Sequence, residues 1–410
     1  DQDTDPLLPF EWWRTAIGAD QLDSPGPGKP VTVVDSGLDM THPEFASRPN
    51  TEILNRQTTD EPDEDHGTAV SSVVGATNNG VGLVGVYPNA VLRMWDASPF
   101  GILDDFSAVQ GIRAAALRGP GVINLSFGGE TDDPMLQAAI DFAVRSGSLV
   151  VAAAGNDGGF GSPPNYPAFY PHVLTVGATD RTNQVAAFSS VSPTVDLAAP
   201  GVDIPTAEPI AVEPSGYATD SAGTSFASPL VAGAAAWVWT ARPELDNSQL
   251  FEVMRRSATD IGAPGFDSAS GYGLLNIPRA LSYKAPLRDP QEPNEEPREI
   301  EAKGLFPNAT APLTVPGRTT RSIAARVDRS EDPLDLYRAW APAGRVLRAH
   351  VTGSVRVRVL ERAGHLQALA VGRRGTATYR NRARGRYVYI EVRPATRLAE
   401  YRLRITAART

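Results

Sequence analysis

Residues 31–37 read Val-Thr-Val-Val-Asp-Ser-Gly, a short apolar run that ends in a carboxylate, a hydroxyl and a glycine. Four consecutive β-branched residues predict a buried strand. Open α/β sheets place their ligands and catalytic groups at the edge where the carboxyl ends of the strands meet. Asp35 is therefore a candidate functional carboxylate at that edge.

Similar apolar runs recur along the first 284 residues and alternate with segments of helical periodicity. This alternation predicts an α/β fold, with a doubly wound, mostly parallel sheet and helices on both faces. The final helix is expected to begin with Asn247 or Ser248 as its N-cap. Further strands are predicted at 121–126, 148–154 and 173–178, and helices at 66–76, 105–118, 134–146, 225–240 and 247–257.

Composition limits the class of protein. A chain of 410 residues with 41% hydrophobic and 21% charged residues is typical of a soluble globular protein with more than one core. No stretch approaches the ~18 consecutive apolar residues of a membrane span. The absence of cysteine excludes disulfides, thiolate metal sites and a cysteine nucleophile.

The charge is unevenly distributed, which indicates two domains. Residues 301–410 carry 22 Lys and Arg against 8 Asp and Glu, whereas the rest of the chain carries 16 against 39. We predict a first domain at 1–284, an extended linker at 285–300 with four prolines, and a second domain at 301–410. Alternating runs in the second domain predict a small antiparallel β-sandwich.

Three further motifs supply reactive side chains. His66 opens an apolar helix in His-Gly-Thr, and Ser225 opens another in Gly-Thr-Ser-Phe-Ala-Ser-Pro. A serine hydroxyl needs an imidazole to take its proton, and the imidazole needs a carboxylate to fix its tautomer. Asn156 follows the apolar run Ala-Ala-Ala-Gly, where its amide could donate to an oxyanion.

Five blocks in this order, at 35–37, 66–68, 124–129, 155–156 and 223–229, resemble the subtilisin-like serine proteases. The resemblance implies a secreted, extracellular serine endopeptidase that cleaves peptide bonds through an acyl-enzyme. It implies that Asp35, His66 and Ser225 form the catalytic triad. It also implies that Asn156 and the backbone N–H of Ser225 form the oxyanion hole.

The same resemblance implies how a substrate binds. An extended peptide would add as a strand between two enzyme segments. Alanine and glycine walls of the specificity pocket imply broad cleavage with a preference for apolar or aromatic residues, and Asp157 at the rim could tolerate basic ones. The implied substrate-binding residues are Ser126, Phe127, Gly128, Ala152, Ala154, Gly155, Asn165, Gly101 and Ile102.

A calcium site is a further implication, for stability rather than for catalysis, which needs no cofactor. The loop 77–83 matches the family's calcium loop in length, and oxygen-only ligation suits calcium. The alternative is a plain Asn-Gly turn. The implied ligands are Glu44, Thr77, Asn79, Val81 and Leu83.

The tail resembles the bacterial pre-peptidase C-terminal domain, in the segments 292–295, 332–337 and 385–389. Its arginine surplus could bind an anionic polymer or the acidic first domain, whereas nucleic acid is not expected because no stacking motif accompanies it. The expected partners are protein and peptide substrates and the chain's own pro-region, as folding partner and inhibitor of a monomer.

Two alternatives to a broad protease remain open. The acidic first domain could belong to a processing protease selective for basic residues. The chain could also be a non-catalytic binding protein on a protease fold.

Overall fold

The computed structural model describes residues 5–57, 65–99, 101–301 and 310–408, and the chain forms two compact units, Asp1–Ala285 and Pro286–Thr410. The helices of the first unit are α1 (Trp13–Ala16), α2 (His66–Gly75), α3 (Asp105–Leu117), α4 (Pro134–Arg145), α5 (Thr224–Ala241), α6 (Asn247–Arg256) and α7 (Ile277–Ser282), with 3₁₀ turns at Leu8–Phe10, Ala19–Gln21 and Gly158–Phe160. Its strands are β1 (Pro30–Asp35), β2 (Thr51–Ile53), β3 (Val91–Asp96), β4 (Val122–Leu125), β5 (Leu149–Ala153), β6 (Val173–Thr179), β7 (Val195–Pro200), β8 (Ile204–Ala207) and β9 (Tyr217–Ser221).

Seven of these strands form one parallel sheet in the order β2-β3-β1-β4-β5-β6-β7, and β8 and β9 form a separate antiparallel pair. Helices α2 and α5 contact each other, as do α3 and α4, and both pairs contact the sheet. From β1 the chain passes to β2 at the edge of the sheet, returns to β3 beside β1, and then crosses to β4 on the other side of β1. The carboxyl ends of β1 and β4 therefore flank the switch point of the sheet, where such folds bind ligands. The predicted α/β class is confirmed.

Helix α5 forms the centre of the first core. Most of its side chains are buried, and the run Val-Ala-Gly-Ala-Ala-Ala lets it lie close against the sheet and α2. Small side chains allow this close approach, so the helix start at Thr224 is held firmly beside the strand ends.

The predicted N-cap of α6 is wrong by one residue. Asp246 is the cap, and its Oδ1 accepts from Gln249 N at 2.9 Å while Gln249 Oε1 accepts from Asp246 N at 3.3 Å. This is a capping box. Asn247 instead donates its side-chain amide to Val144 O at 2.8 Å and Ser148 O at 3.0 Å, a tertiary role that local sequence does not reveal.

The second unit is an antiparallel β-sandwich, as predicted. Its elements are α8 (Pro297–Ile300), β10 (Arg321–Asp328), β11 (Asp335–Ala341), β12 (Val346–Thr352), β13 (Val355–Ala363), β14 (His365–Val371), β15 (Thr376–Arg380), β16 (Arg386–Pro394) and β17 (Leu398–Ala408). The strands form two four-stranded sheets, β10-β17-β12-β15 and β11-β16-β13-β14, and both sheets contribute to one core.

The prediction of an extended linker at 285–300 is wrong, because residues from Pro286 onward pack within the second unit. Asn294 is fully buried, and its side-chain and backbone oxygens both accept from Leu336 N, at 2.7 and 2.8 Å. Asp289 Oδ2 accepts from Arg326 N at 2.7 Å. The prolines do exclude regular structure over most of the segment, but its polar side chains bind backbone groups of the sandwich.

Among the described residues, no helix is both long enough and apolar enough to cross a membrane.

Candidate active site

Asp35 and His66 meet at the carboxyl edge of the sheet. Asp35 is 2% exposed at the end of β1, and its Oδ1 lies 2.8 Å from His66 Nδ1 at the start of α2. The same Oδ1 accepts from Ser36 N at 2.8 Å, and Ser36 Oγ accepts from Gly67 N at 2.9 Å. Two hydrogen-bonded links therefore fix the helix start against the strand end.

Gly67 makes this approach possible. A Cβ on Gly67 would lie 2.2 Å from Gly37 O, a distance that no side chain tolerates. The glycine after the histidine thus lets the backbone of α2 touch the turn after β1, and it sets the position of the imidazole.

Ser225 lies in the first turn of α5 and is held by the segment after β4. Its Oγ donates to Ser126 O at 3.1 Å, and Ser126 Oγ donates to Ser225 O at 2.9 Å. Behind this pair, Asn124 Nδ2 donates to Ser126 Oγ at 2.9 Å and Ser228 Oγ donates to Asn124 Oδ1 at 2.6 Å. The helix start is therefore locked to the end of β4, next to Asp35 in the sheet.

Asn156 is oriented by Thr224. Its Oδ1 accepts from Thr224 N and Thr224 Oγ1, both at 2.9 Å, so the amide NH₂ faces away from this pair of donors. A Cβ on Gly223 would lie 3.5 Å from Asn156 Nδ2 and 3.7 Å from Ser225 N. Because glycine leaves that space open, two N–H donors border a site where a small anionic oxygen fits.

The hydrogen bond between His66 and Ser225 is the one link of the predicted constellation that is not formed. In the described part of the chain, the Ser225 hydroxyl donates to Ser126 O instead, and no hydrogen bond joins it to the His66 ring. The His66 ring nevertheless lies 5.9 Å, centroid to centroid, from the ring of Phe226, the residue after the serine. Catalytic hydrogen bonds are often unformed without substrate, and a rotation about χ1 redirects a serine hydroxyl.

His66 has a raised pKa despite opposing effects. Burial alone lowers it, but the adjacent Asp35 carboxylate, with smaller contributions from Asp65 and Glu208, raises the pKa above its ordinary value of 6.5. Its side chain keeps 34% exposure, so solvent and substrate can reach the imidazole. The imidazole can thus act as a base whose cation is stabilised by Asp35.

The two predicted substrate segments lie at the same sheet edge, on either side of β1. Ser126 and the half-buried Phe127 follow β4, and Gly101 and Ile102 follow β3. Ile102 is 78% exposed, which leaves it free to contact a bound chain.

The predicted pocket residues cluster around Asn165. A Cβ on Gly128 would lie 2.4 Å from Asn165 Oδ1, and one on Gly155 would lie 3.1 Å from Asn165 Nδ2, so the amide fills the gap between the two glycines. Asn165 Nδ2 also donates to Ala153 O at 3.3 Å. Ala154 is 4% exposed, and Ala152 has no exposed surface and cannot wall an open pocket here. Among these alanines, Ala153 is the one whose backbone oxygen accepts from Asn165.

The loop 77–83 contains four of the predicted metal ligands, and it is contacted by Asp5, a carboxylate that the motifs did not reveal. Asp5 Oδ1 accepts from Val81 N at 3.1 Å and from Asn79 N at 3.3 Å, while Glu44 Oε1 accepts from Leu83 N at 2.9 Å. Within the described chain, the buried atoms Asp5 Oδ2, Glu44 Oε2 and Thr77 Oγ1 have no hydrogen-bond partner.

These orphaned oxygens test the fit of a cation. Burial raises the pKa of Glu44 to about 8, with neighbouring Asp5 and Glu11 adding to the effect against hydrogen bonds from Leu83 and Tyr217. An oxygen-only set with two buried carboxylates suits calcium. The sequence shows Asp5 only as one acidic residue near position 1, and the fold alone brings it to the loop 77–83.

Glu208 is the second group that sequence motifs did not reveal. It follows β8, its Oε1 accepts from Thr206 Oγ1 at 2.7 Å, and its charge acts on His66. Burial, followed by the charges of Asp65 and Glu213, raises its pKa against the effects of Thr206 and His66. No local pattern distinguishes this glutamate from a surface residue.

The sequence profile of the Subtilase family matches residues 26–273, more than half of the chain. Subtilisin NAT of Bacillus subtilis subsp. natto is 38% identical over 257 residues, which are 61% of this chain and 65% of that protein. Minor extracellular protease Epr of Bacillus subtilis (strain 168) is 35% identical over 288 residues, 70% of this chain and 41% of that protein. The chain thus spans less than two thirds of these two relatives.

Among solved structures, fervidolysin from Fervidobacterium pennivorans, described as a keratinolytic enzyme related to subtilisin, has a similar fold. The TM-score is 0.59 at 24% identity, and the alignment covers 92% of this chain and 54% of that one.

Proposed function

The chain belongs to the subtilase family of serine peptidases, and on that premise we propose that it is an endopeptidase with Ser225 as its nucleophile. The observation that carries this proposal is the 2.8 Å contact between Asp35 Oδ1 and His66 Nδ1, beside a helix that begins at the serine. Three elements distant in the chain contribute one reactive group each, which a purely structural role would not require.

In this mechanism Asp35 holds the proton on His66 Nδ1, so that Nε2 is the free base. Substrate binding turns the Ser225 hydroxyl from Ser126 O toward that nitrogen. As Ser225 Oγ bonds to the peptide carbonyl carbon, its proton passes to His66. The carbonyl oxygen becomes an oxyanion, which Asn156 Nδ2 and Ser225 N stabilise.

The intermediate then collapses. The bond to the amine breaks, His66 gives its proton to the leaving nitrogen, and an acyl-Ser225 remains. Water, deprotonated by His66, attacks the acyl carbon. The bond from that carbon to Ser225 Oγ then breaks, His66 returns the proton to Oγ, and the carboxylic acid product leaves.

A fluorophosphonate probe tests this function, because it bonds only to an activated serine. We expect stoichiometric labelling of Ser225 and casein hydrolysis that the probe abolishes. Ser225→Ala should lose both, and Ser215→Ala, on an exposed turn, should lose neither. Well-folded protein with an unlabelled Ser225 would favour the non-catalytic binding protein.

For specificity we propose broad cleavage after apolar or aromatic residues, with a polar end to the pocket. The pocket walls Gly128 and Gly155 add no side-chain bulk, and the Asn165 amide lies between them. The processing-protease alternative has its own support, since Glu208 and Asp65 place negative charge near His66. Cleavage of a peptide library separates the two, because strict preference for basic residues supports only the latter.

We further propose that Asp5, Glu44, Thr77, Asn79, Val81 and Leu83 hold a structural calcium ion. The orphaned buried oxygens of this group support the site. Calcium would neutralise the two carboxylates and tie the chain start to the loop after α2.

Finally, we propose an extracellular monomer that folds with the help of its pro-region. The name of the relative Epr, an extracellular protease, supports the location. Immunodetection in cells and medium of the producing organism tests it, and refolding with and without the pro-region in trans tests the second part.

A further inference from the structure

A pocket of about 710 Å³ opens on one sheet of the β-sandwich, and arginines supply most of its charge. Its walls are β13, β16 and the segment from the end of β14 through the turn to β15. The charged lining residues are four arginines and one glutamate, which give a net charge of +3: Arg356, Arg358, Arg374, Arg393 and Glu391. We call this site the arginine pocket. The proposed protease mechanism uses none of these residues.

Glu391 fixes two of the arginines in place. Its side chain is 5% exposed, and Arg358 donates to both of its oxygens, from Nε to Oε1 at 2.6 Å and from Nη2 to Oε2 at 2.8 Å. Arg393 also contacts this carboxylate, with its Nε 3.0 Å from Oε1. Burial alone raises the pKa of Glu391, but these hydrogen bonds and charges hold it below its ordinary value, so the carboxylate stays ionised. The pocket therefore already shows the fork geometry in which arginine binds a carboxylate.

The other two arginines of the pocket have no counterion. Arg356 and Arg374 are exposed, and neither has a carboxylate partner among the described residues. Arg356 lies directly opposite Arg393 in the register of β13 and β16. Like charges in directly opposite positions of an antiparallel pair repel each other and destabilise it. A bound anion would remove this repulsion.

Arg374 is held in a conformation that arginine rarely adopts. The turn from β14 to β15 has two central residues, Arg374 with φ 48° and Gly375 with φ 74°, and hydrogen bonds in both directions between Arg373 and Thr376 close it. A two-residue hairpin turn with positive φ at both positions favours asparagine followed by glycine. Asparagine at position 374 would be less strained, so the arginine there indicates a function of its guanidinium group.

Glycines set this turn close to the neighbouring strands. A Cβ on Gly372 would lie 2.6 Å from Val357 O in β13, and one on Gly375 would lie 2.7 Å from Val351 O in β12. Both positions therefore require glycine, and this close packing fixes the backbone of Arg374 beside the pocket before any ligand binds.

We propose that the arginine pocket binds an acidic peptide segment, whose carboxylates pair with Arg356 and Arg374. The planar guanidinium group matches a carboxylate with two parallel hydrogen bonds. Val371, which is 66% exposed, and the half-buried Val355 line the same pocket, so apolar side chains of the segment also find a contact. Ligand pockets commonly combine an apolar wall with a few charged groups in this way.

The lining disfavours two other polyanions. No aromatic side chain of the described residues lines the pocket, whereas single-stranded nucleic acid binds largely by stacking its bases on aromatic rings. An acidic polysaccharide presents mainly hydroxyl groups beside its charges, which would leave the exposed Val371 without an apolar contact. The consequence of the site rests on the proposed function, because the segment would belong to a protein substrate that the second unit binds and the first unit cleaves.

Fluorescence anisotropy tests the site with the full chain in a Ser225→Ala background, which prevents cleavage of the probe. The probe is a labelled peptide in which glutamates are separated by single apolar residues, and its counterpart carries glutamine in place of each glutamate. We expect the glutamate peptide to bind at least about tenfold more tightly than the glutamine peptide. Because binding rather than cleavage is measured, the result does not depend on whether Ser225 is a nucleophile.

Arg374→Asn gives the sharper result, because asparagine suits the turn. Binding of the glutamate peptide should weaken about tenfold, while backbone hydrogen exchange of residues 370–378 becomes no faster. Arg356→Gln should weaken binding to a similar extent, also without faster exchange, because it removes the repulsion of Arg393. Arg402→Gln, which removes an exposed arginine on β17 of the other sheet, is the control matched for net charge and should change the affinity less than about twofold.

Four results would overturn the proposal: equal binding of the two peptides, no loss of affinity in either pocket variant, an equal loss in Arg402→Gln, or a loss that occurs only together with faster exchange. The last would show that the arginines act through the fold. Binding of polygalacturonate or of a single-stranded oligonucleotide, but not of the glutamate peptide, would also overturn it and would assign the pocket to that polymer.

A kinetic measurement on the active chain links the pocket to cleavage. Arg356→Gln should raise KM for an acidic protein substrate and leave kcat/KM for a short neutral peptide unchanged. A chain that binds the glutamate peptide but whose Ser225 reacts with no fluorophosphonate probe would support the pocket and refute only the proposed peptidase function.

Discussion

Asp35 and Asp335 are both buried carboxylates at strand ends, yet their surroundings are opposite. Asp35 shares one oxygen between the imidazole of His66 and the amide of Ser36, and its other oxygen has no hydrogen-bond partner among the described residues. Asp335 has the hydroxyl of Tyr401 on one oxygen and three further carboxylates within 4.8 Å. The fold supplies a complementary base to the first, whereas the second needs protons or a cation from solution. The burial of a charged group therefore indicates its role only when the groups that face it are known as well.

The largest expected effect comes from breaking the contact between Asp35 and His66. Asp35→Asn should lower kcat by about 10⁴-fold, because an amide cannot hold His66 in the tautomer that leaves Nε2 free. Steady-state kinetics with a peptide substrate measure it, and Asp105→Asn, on an exposed face of α3, is the control. A variant within tenfold of wild type would contradict the role of Asp35.

The second expected effect isolates the oxyanion donor. Asn156→Asp keeps an oxygen for Thr224 but removes the NH₂, and kcat should fall by about 10²–10³-fold with little change in KM. Thr224→Val removes the hydroxyl that donates to Asn156 Oδ1 but keeps the Asn156 NH₂ group. Its loss of kcat should therefore be much smaller. Equal losses in both variants would mean that Asn156 acts only through helix position.

Glu44 resembles Asp335 more than Asp35, because it is buried beside other acidic groups, Asp5 and Glu11, and one of its oxygens has no hydrogen-bond partner among the described residues. Its pKa of about 8, against 4.5 ordinarily, means that the metal-free fold keeps a proton that the unfolded chain loses. Stability in chelator should therefore fall as pH rises from about 4.5 to about 8, and calcium should remove that fall.

Glu44→Gln should flatten this pH dependence and lose the calcium effect, about 2.7 kcal/mol when free calcium is about 100 times its dissociation constant. The rate of irreversible loss of activity reports on the first unit alone. Unchanged calcium protection in the variant would refute the site.

The smallest effect concerns the negative charge around the base. The charge of Glu208 raises the pKa of His66, so Glu208→Gln should move the acid limb of the kcat/KM profile to lower pH. The direction follows because the active form carries a neutral imidazole, and removing a negative charge makes its cation less stable. Glu213→Gln, fully exposed on the following turn, is the control. A shift to higher pH would contradict the assignment.

Much of the catalytic unit could be predicted because its signals are local. The apolar run before Asp35 and the helical periodicity after His66 and Ser225 gave the element types, and the order of the motifs indicated the family. The residues that were missed, such as Asp5 and Glu208, lie outside any motif. They reach the metal loop and the base only through packing of distant segments.

The prediction of a linker at residues 285–300 failed, although it rested on an equally local signal. Four prolines correctly excluded regular structure over most of residues 285–300, but composition does not reveal that Asn294 and Asp289 bind backbone groups of β11 and β10. Absence of regular structure was mistaken for absence of packing.

The sequence by itself determined which residue types are available and which elements carry them: a strand-end carboxylate, a helix-start imidazole and a helix-start hydroxyl. Tertiary structure alone decided the distances between them and the environment of each charge. The reason is physical, since helix and strand patterns arise from neighbours in the chain, whereas the pKa of a buried group depends on whatever the fold brings within a few ångströms.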